Sequence, residues 1–110
     1  MLIVHDNQAF SLTTGQSTPT SQQGYVSKSQ PLGETEHPFN PIKLALSAGA
    51  TFVARCDAMN INHTKKILTQ AIQHNGFAFI EMMQDCLVFN TKMNNKQNMM
   101  YEVDNYNLKK

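Results

Sequence analysis

The sequence is short of charge. Asp, Glu, Lys and Arg make up 15% of its 110 residues, where an average soluble domain carries about a quarter. Net charge is +1 and the isoelectric point about 7.8. With no stripe of Lys and Arg, the chain lacks the footprint of a nucleic-acid binder. Tryptophan is absent, and no apolar run approaches the roughly 18–20 residues of a membrane span. The opening MLIVHDNQ has no basic region before its brief apolar run, so it does not read as a signal peptide. The expected location is the cytoplasm, with neither membrane nor nucleic acid as partner. Cysteine is also scarce. In a reducing compartment Cys56 and Cys86 stay as thiols unless they bind something, and two thiols cannot complete a four-cysteine metal site. His5, His37, His63 and His74 are scattered without the i, i+4 spacing that zinc sites favour. No Ser-centred nucleophile elbow and no P-loop is present.

Asn, Gln, Ser and Thr fill the place of the missing charge. The stretch HDNQAFSLTTGQSTPT, residues 5–20, has one charged side chain, Asp6. It follows Leu2-Ile3-Val4, whose apolar and β-branched run predicts a short strand buried on both faces. From Asp6 to about His37 neither period 2 nor period 3.6 is sustained. Loops of that length in small domains are usually functional or disordered. Asn40 then fits an N-cap, Pro41 the first helical position and Gly49 the position just past a helix end. Ile42, Leu44, Ala45, Leu46 and Ala48 between them predict a short apolar helix. Residues 50–54 read as a strand. Asn62 can cap a helix over 63–74, with Ile67, Leu68, Ala71 and Ile72 on one stripe and Lys65, Lys66, Gln70 and Gln73 on the other. Asn75-Gly76 ends it, and residues 77–82 read as the last strand. Strand–helix alternation of this kind predicts a parallel α/β sheet with right-handed crossovers. The Asn- and Lys-rich tail over 92–110 reads as low-complexity and poorly ordered.

In parallel sheets ligands sit beyond the carboxyl ends of the strands. Asp6-Asn7 and residues 83–86 lie at such ends. Asp-Asn is first of all a turn starter, because both side chains bond backbone locally. It is also compatible with a hard cation, since amide and carbonyl oxygens suit Mg²⁺ when phosphates supply the other ligands. Cys86 is either a small buried hydrophobe or a ligand. Cys56 has no supporting group nearby and reads as core.

Three segments occur in order: LIVHDNQAFSLTTGQSTPTSQQG, PLGETEHPFNPIKLALSAGATFVAR and GFAFIEMMQDCLVFNT. Together they resemble the thiamine-diphosphate-binding β subunit of a 2-oxoacid:ferredoxin oxidoreductase, over roughly residues 2–91. The resemblance implies oxidative decarboxylation of a 2-oxoacid on thiamine diphosphate. Electrons would pass through a [4Fe–4S] cluster to ferredoxin, and the acyl group to coenzyme A. Such subunits work with an α subunit. On this likeness Asn7 and the carbonyl of Ala9 correspond to Mg²⁺ ligands, while Asp6 fixes the loop. Leu12, Thr14, Gly15 and Gln16 belong to the segment over the cofactor's reactive end. Many relatives carry Lys where this chain has Thr14, which removes a charge that could meet a substrate carboxylate. The wording HDNQ and PTSQQG leans toward 2-oxoglutarate-type members. Cys86 corresponds to the last cluster cysteine, with Asp85 where relatives often have Pro and Leu87-Val88 after it. An acid beside a cluster tends to lower its potential.

The implied fold is part of the thiamine-diphosphate-binding α/β fold. Residues 1–50 would be the C-terminal part of the cofactor domain, 51–91 the segment with the cluster-type Cys, and 92–110 the tail. The family's Gly-Asp-Gly motif and three further cysteines are absent from this sequence. The expectation is therefore a chain inactive by itself, completed by a missing N-terminal β part. The alternative is a non-catalytic remnant or binding module of the same fold.

Overall fold

A computed structural model describes residues 1–90; the tail reading over 92–110 lies outside the described residues. Five elements follow in order: β1 (Leu2–Asp6), α1 (Pro41–Ser47), β2 (Phe52–Asp57), α2 (Ile61–Gln73) and β3 (Ala78–Met83). The strands form one parallel sheet in the order β1-β3-β2. The chain passes from β1 over the place of β3 to β2, then steps back to β3. Two right-handed crossovers that travel in opposite directions put their helices on opposite faces of the sheet.

The α2 face holds the apolar core. Cys56, Ala71, Ala78 and Ile80 are buried there, with Ile3, Phe52, Ile67, Leu68 and Met82 packed around them. Strand alternation turns Arg55, Glu81 and Asp6 to the other face. Register sets Arg55 opposite Glu81, and their side chains meet at 2.7 Å from Nε to Oε2. Glu81 is 1% exposed, and its carboxyl is also hydrogen-bonded to that of Asp6. Burial pushes the Glu81 pKa up; Arg55 opposes this and the Asp6 carboxylate adds to it.

Several boundaries differ from those read in the sequence. Asn60, not Asn62, caps α2: its side chain accepts from the His63 N–H, and its own N–H closes a turn onto the Asp57 carbonyl. Both asparagines have the right chemistry, and the turn decides between them. Strand β2 begins at Phe52, because Ala50 still bonds back to the Ala45 carbonyl in the exit from α1. It runs on through Cys56 and Asp57, which pair with Met82 and Met83. Strand β3 is likewise shifted by one residue, to Ala78–Met83. The expected cap of α1 holds: Asn40 accepts from the Lys43 N–H, with Pro41 opening the helix.

Burial also corrects two readings. The first strand is not buried on both faces: Leu2 is exposed and Ile3 and Val4 are half-buried; among the described residues it lies at the sheet's edge. Ile72 stands in solvent; the stripe that packs is Ile67, Leu68 and Ala71. The carboxyl ends of the three strands lie level, with Asp6 and Asp57 both paired to Met83. The segments leaving β1 and β3 therefore emerge side by side.

Candidate functional site

The loop after β1 is built by short polar side chains bonding to nearby backbone. The Asp6 carboxylate accepts from the Gln8 N–H at 2.9 Å and from the Thr20 hydroxyl at 2.8 Å. Gln8 takes a positive φ of 57°. Its carbonyl accepts the buried Ser21 hydroxyl at 2.6 Å. Asn7 is held at three points. Its Oδ1 accepts from the Ala9 N–H at 3.2 Å, its Nδ2 donates to Ser11 Oγ at 2.9 Å, and its carbonyl accepts from Asn90 Nδ2 at 3.1 Å. The Asx turn and the strand-end position expected of Asp6-Asn7 are therefore present together.

The next turn folds back on itself. The Phe10 N–H donates to the Gln16 carbonyl at 2.9 Å, and the Gly15 N–H to the Phe10 carbonyl at 2.8 Å. Thr14 and Gly15 both have positive φ, 74° and 98°. A side chain at Gly15 would run into the Phe89 ring, with a Cβ only 2.8 Å from a ring carbon. Leu12 points outward at 98% exposure, and Thr14 is exposed. Gln16 accepts from the Thr13 hydroxyl at 2.6 Å. Thr14 and Gly15, together with Tyr25, Val26, Lys28 and Phe89, line an open depression of about 400 Å³.

The turn after β3 docks onto this loop. Cys86 Sγ lies 3.2 Å from Ser11 Oγ and accepts from the Phe89 N–H at 3.4 Å. The Asn90 N–H closes the turn onto the Cys86 carbonyl at 3.3 Å. Tyr25 clamps the two segments: its hydroxyl reaches the Gly15 carbonyl at 3.1 Å and the Phe89 carbonyl at 3.0 Å. Asn7, Ala9, Gly15 and Cys86 thus converge, while Leu12 projects away from them. Ser11, Tyr25 and Asn90 are the linking residues that sequence reasoning missed. Each is a lone polar residue whose partner is distant in the chain, so neither spacing nor composition marks it.

Burial pushes the Cys86 thiol pKa up, but the Ser11 hydroxyl and the N–H groups of Phe89, Val88 and Asn90 outweigh it, and the value falls from 9.0 to about 7. Burial moves Cys56 the other way, upward, with Asp57 adding to the shift and a Thr64 hydrogen bond opposing it. Thiolate, not thiol, is the nucleophile. The rate of iodoacetamide modification at Cys86 is therefore expected to rise with a midpoint near 7, while fully buried Cys56 stays unmodified. Mass spectrometry of the modified peptides checks both; a Cys86 midpoint at the ordinary thiol value would contradict the first. Ser11→Ala should move that midpoint upward.

Two donor sets in this cluster suit the groups implied by the family resemblance. The Ala9 carbonyl belongs to a residue only 4% exposed and accepts no hydrogen bond among the described residues. With Asn7 Oδ1 it offers two neutral oxygens, a set that suits Mg²⁺ carrying a diphosphate. The Cys86 sulfur, ringed by N–H and O–H donors, suits a negatively charged sulfur such as a cluster ligand. Among the described residues no three His, Cys, Asp or Glu gather into a complete metal site, and no helix is long and apolar enough to cross a membrane.

Residues 1–82 match the family described as thiamine pyrophosphate enzyme, C-terminal TPP binding domain. The chain is 46% identical over 89 residues to the 2-oxoglutarate oxidoreductase subunit KorB of Mycobacterium tuberculosis, covering 81% of this chain and 24% of that one. It is 44% identical over 89 residues to the 2-oxoacid:ferredoxin oxidoreductase subunit beta of Saccharolobus solfataricus, covering 81% and 29%. Among solved structures it resembles 2-oxoglutarate:ferredoxin oxidoreductase from Magnetococcus marinus with 2-oxoglutarate, coenzyme A and succinyl-CoA bound. The TM-score is 0.81 at 29% identity, over 92% of this chain and 36% of that chain. The chain thus spans well under half the length of the relatives it matches.

Proposed function

The chain belongs to the thiamine pyrophosphate enzyme C-terminal family, and we propose that it forms the β-subunit half of a thiamine diphosphate site in a 2-oxoacid:ferredoxin oxidoreductase. One observation carries this reading. The Asn7 amide, the undonated Ala9 carbonyl and the Cys86 sulfur gather in one hydrogen-bonded group at the carboxyl ends of a parallel sheet, where such folds bind ligands. Asn7 Oδ1 and the Ala9 carbonyl would hold Mg²⁺ against the diphosphate. Cys86 would supply one of four thiolates to a [4Fe–4S] cluster. Bound thiamine diphosphate supplies the carbon nucleophile for a 2-oxoacid carbonyl and an electron sink once carbon dioxide leaves. This chain's own residues bind and orient. Thr14 and Gly15 form one wall of the pocket, with Gly15 pinned by Phe89 and Tyr25, while Leu12 faces out.

The 2-oxoglutarate names among the relatives support a 2-oxoglutarate-type substrate, and coenzyme A and ferredoxin are the proposed co-substrates. Within this reading residues 1–50 bring the cofactor loop and 51–91 the cluster-type cysteine. The remaining ligands would come from β polypeptide outside this sequence, with an α subunit as partner.

Isothermal titration of the chain alone with Mg²⁺–thiamine diphosphate is expected to show no micromolar binding, since the metal-binding carboxylate of the family lies elsewhere. The full reading is tested by co-expression with companion polypeptides bearing the Gly-Asp-Gly motif, the other cysteines and an α subunit. A 2-oxoacid-dependent dye reduction that Asn7→Ala abolishes supports it. An assembled complex that folds and stays silent with every 2-oxoacid would favour the non-catalytic binding module.

A further inference from the structure

Ser11 Oγ stands between two groups that the reading above gives to different cofactors. It lies 2.9 Å from Asn7 Nδ2 and 3.2 Å from Cys86 Sγ. The direction of this line follows from donor chemistry. The Ala9 N–H points at one end of the Asn7 amide at 3.2 Å, and only the oxygen can accept it. The nitrogen end must then face Ser11 and donate to it, which leaves the single Ser11 O–H proton free to point at the sulfur. Turning the amide over would set two donors face to face at Ala9. With the sulfur carrying no proton, the line runs one way, from Asn7 N–H to Ser11 oxygen and from Ser11 O–H to Cys86 sulfur.

We propose that Ser11 is a positioning residue that couples the Asn7 amide to the state of the Cys86 sulfur. The inference rests on the assignment of Asn7 and Cys86 to the metal–diphosphate and cluster sites. The physical basis is polarisation along a hydrogen-bonded chain, in which a more demanding acceptor at one end strengthens the bond at the other. A change in what the sulfur is bonded to alters how strongly Ser11 donates. That changes how firmly Ser11 accepts from Asn7, and so how the Asn7 Oδ1 is aimed. No covalent step is involved. The consequence is that the Asn7 side chain and the Cys86 sulfur are linked through one hydroxyl. Tyr25 and Asn90 join the same two segments through carbonyls, and the Asn90 N–H also faces the sulfur, but neither touches the Asn7 side-chain amide, which Ser11 alone links to Cys86 among the described hydrogen bonds.

The test uses the full chain and methylmercury as a soft probe that caps one thiol. The readout is the Asn7 side-chain amide pair in a nitrogen–proton correlation spectrum, with mass spectrometry to establish that the single adduct is on Cys86. In the parent chain, capping is expected to shift the Asn7 amide pair. In Ser11→Ala the adduct should still form and the shift should vanish, with the backbone spectrum otherwise retained. Ser11→Thr, which keeps the hydroxyl, should restore the shift. An Asn7 shift that persists in Ser11→Ala overturns the proposal, as does its absence in the parent chain. If Ser11→Ala loses the folded spectrum, Ser11→Thr decides: a retained shift supports the coupling and a lost one overturns it. Failure here leaves dye reduction by the assembled complex untouched, and a silent complex leaves the coupling measurable in the chain alone.

Discussion

Replacing Arg55 by alanine is expected to cost about 3–5 kcal/mol of stability near neutral pH, the usual penalty for stripping one partner from a buried ion pair. The Arg55 guanidinium sits 2.7 Å from a Glu81 carboxylate that is 1% exposed, and solvent cannot replace it. The loss should depend on pH, and its sign can be worked out. Burial holds the Glu81 pKa above its ordinary 4.5, so the fold prefers the neutral acid. A group with a raised folded pKa contributes stability that is fully present below the unfolded value and lost as pH rises through the folded one. Arg55 opposes that shift, so without it the folded pKa climbs further. The Arg55→Ala deficit should then grow as the pH rises from the unfolded value through the raised folded one and shrink as it drops back. Adding Glu81→Gln, which removes the charge, should recover much of the loss. Urea unfolding at several pH values checks this, and a deficit below about 1 kcal/mol, or one flat with pH, would sink it.

Gly15→Ala is expected to cost about 2–4 kcal/mol, from a left-handed backbone that alanine adopts under strain and from overpacking. The new methyl would lie 2.8–3.0 Å from Cβ, Cγ and Cδ1 of Phe89, so the ring has to move. Phe89 cannot move alone, because its carbonyl shares the Tyr25 hydroxyl and its N–H bonds the Cys86 sulfur. Gly24→Ala is the matched control. That glycine also has a positive φ, 87°, but a Cβ there meets nothing within 4 Å, so it should show only the backbone part, about 1 kcal/mol. Thermal melting of the two variants separates contact from strain, and equal losses would contradict the docking of Phe89 on Gly15. Gly15→Ala should also return the Cys86 midpoint toward that of a free thiol, whereas Gly24→Ala should not.

The parallel α/β character was legible in the sequence because apolar runs alternate with a 3.6-residue stripe, and that signal is local. Strand order was not legible. Nothing in LIVHD marks an edge strand, and AFIEMM hides its central place behind a glutamate whose charge is met only by Arg55 on the neighbouring strand. The helix caps show the same limit. Asn40 was readable because Pro41 fixed the frame, whereas Asn60 and Asn62 differ only through a turn back to Asp57. In the site, Asn7, Ala9 and Cys86 were read from family likeness, and the structure brings them within one hydrogen-bonded group. Ser11, Tyr25 and Asn90 were not, because each joins points far apart in sequence. Leu12 matched the family segment, yet the described residues leave it facing out.

The central position of β3 governs the order in which this chain can fold. Among the described residues, strands β1 and β2 share no pairing with each other; both pair only with β3. Within the described sheet, β1 therefore has no strand partner until residues 78–83 arrive and slot between it and β2. All of the sheet's ladder closes late and across long sequence separations, the pattern that slows folding. The loop that leaves β1 acquires its Cys86 and Asn90 partners at that same late moment. Synthesis past β3 is thus the earliest point at which the cofactor half-site can exist.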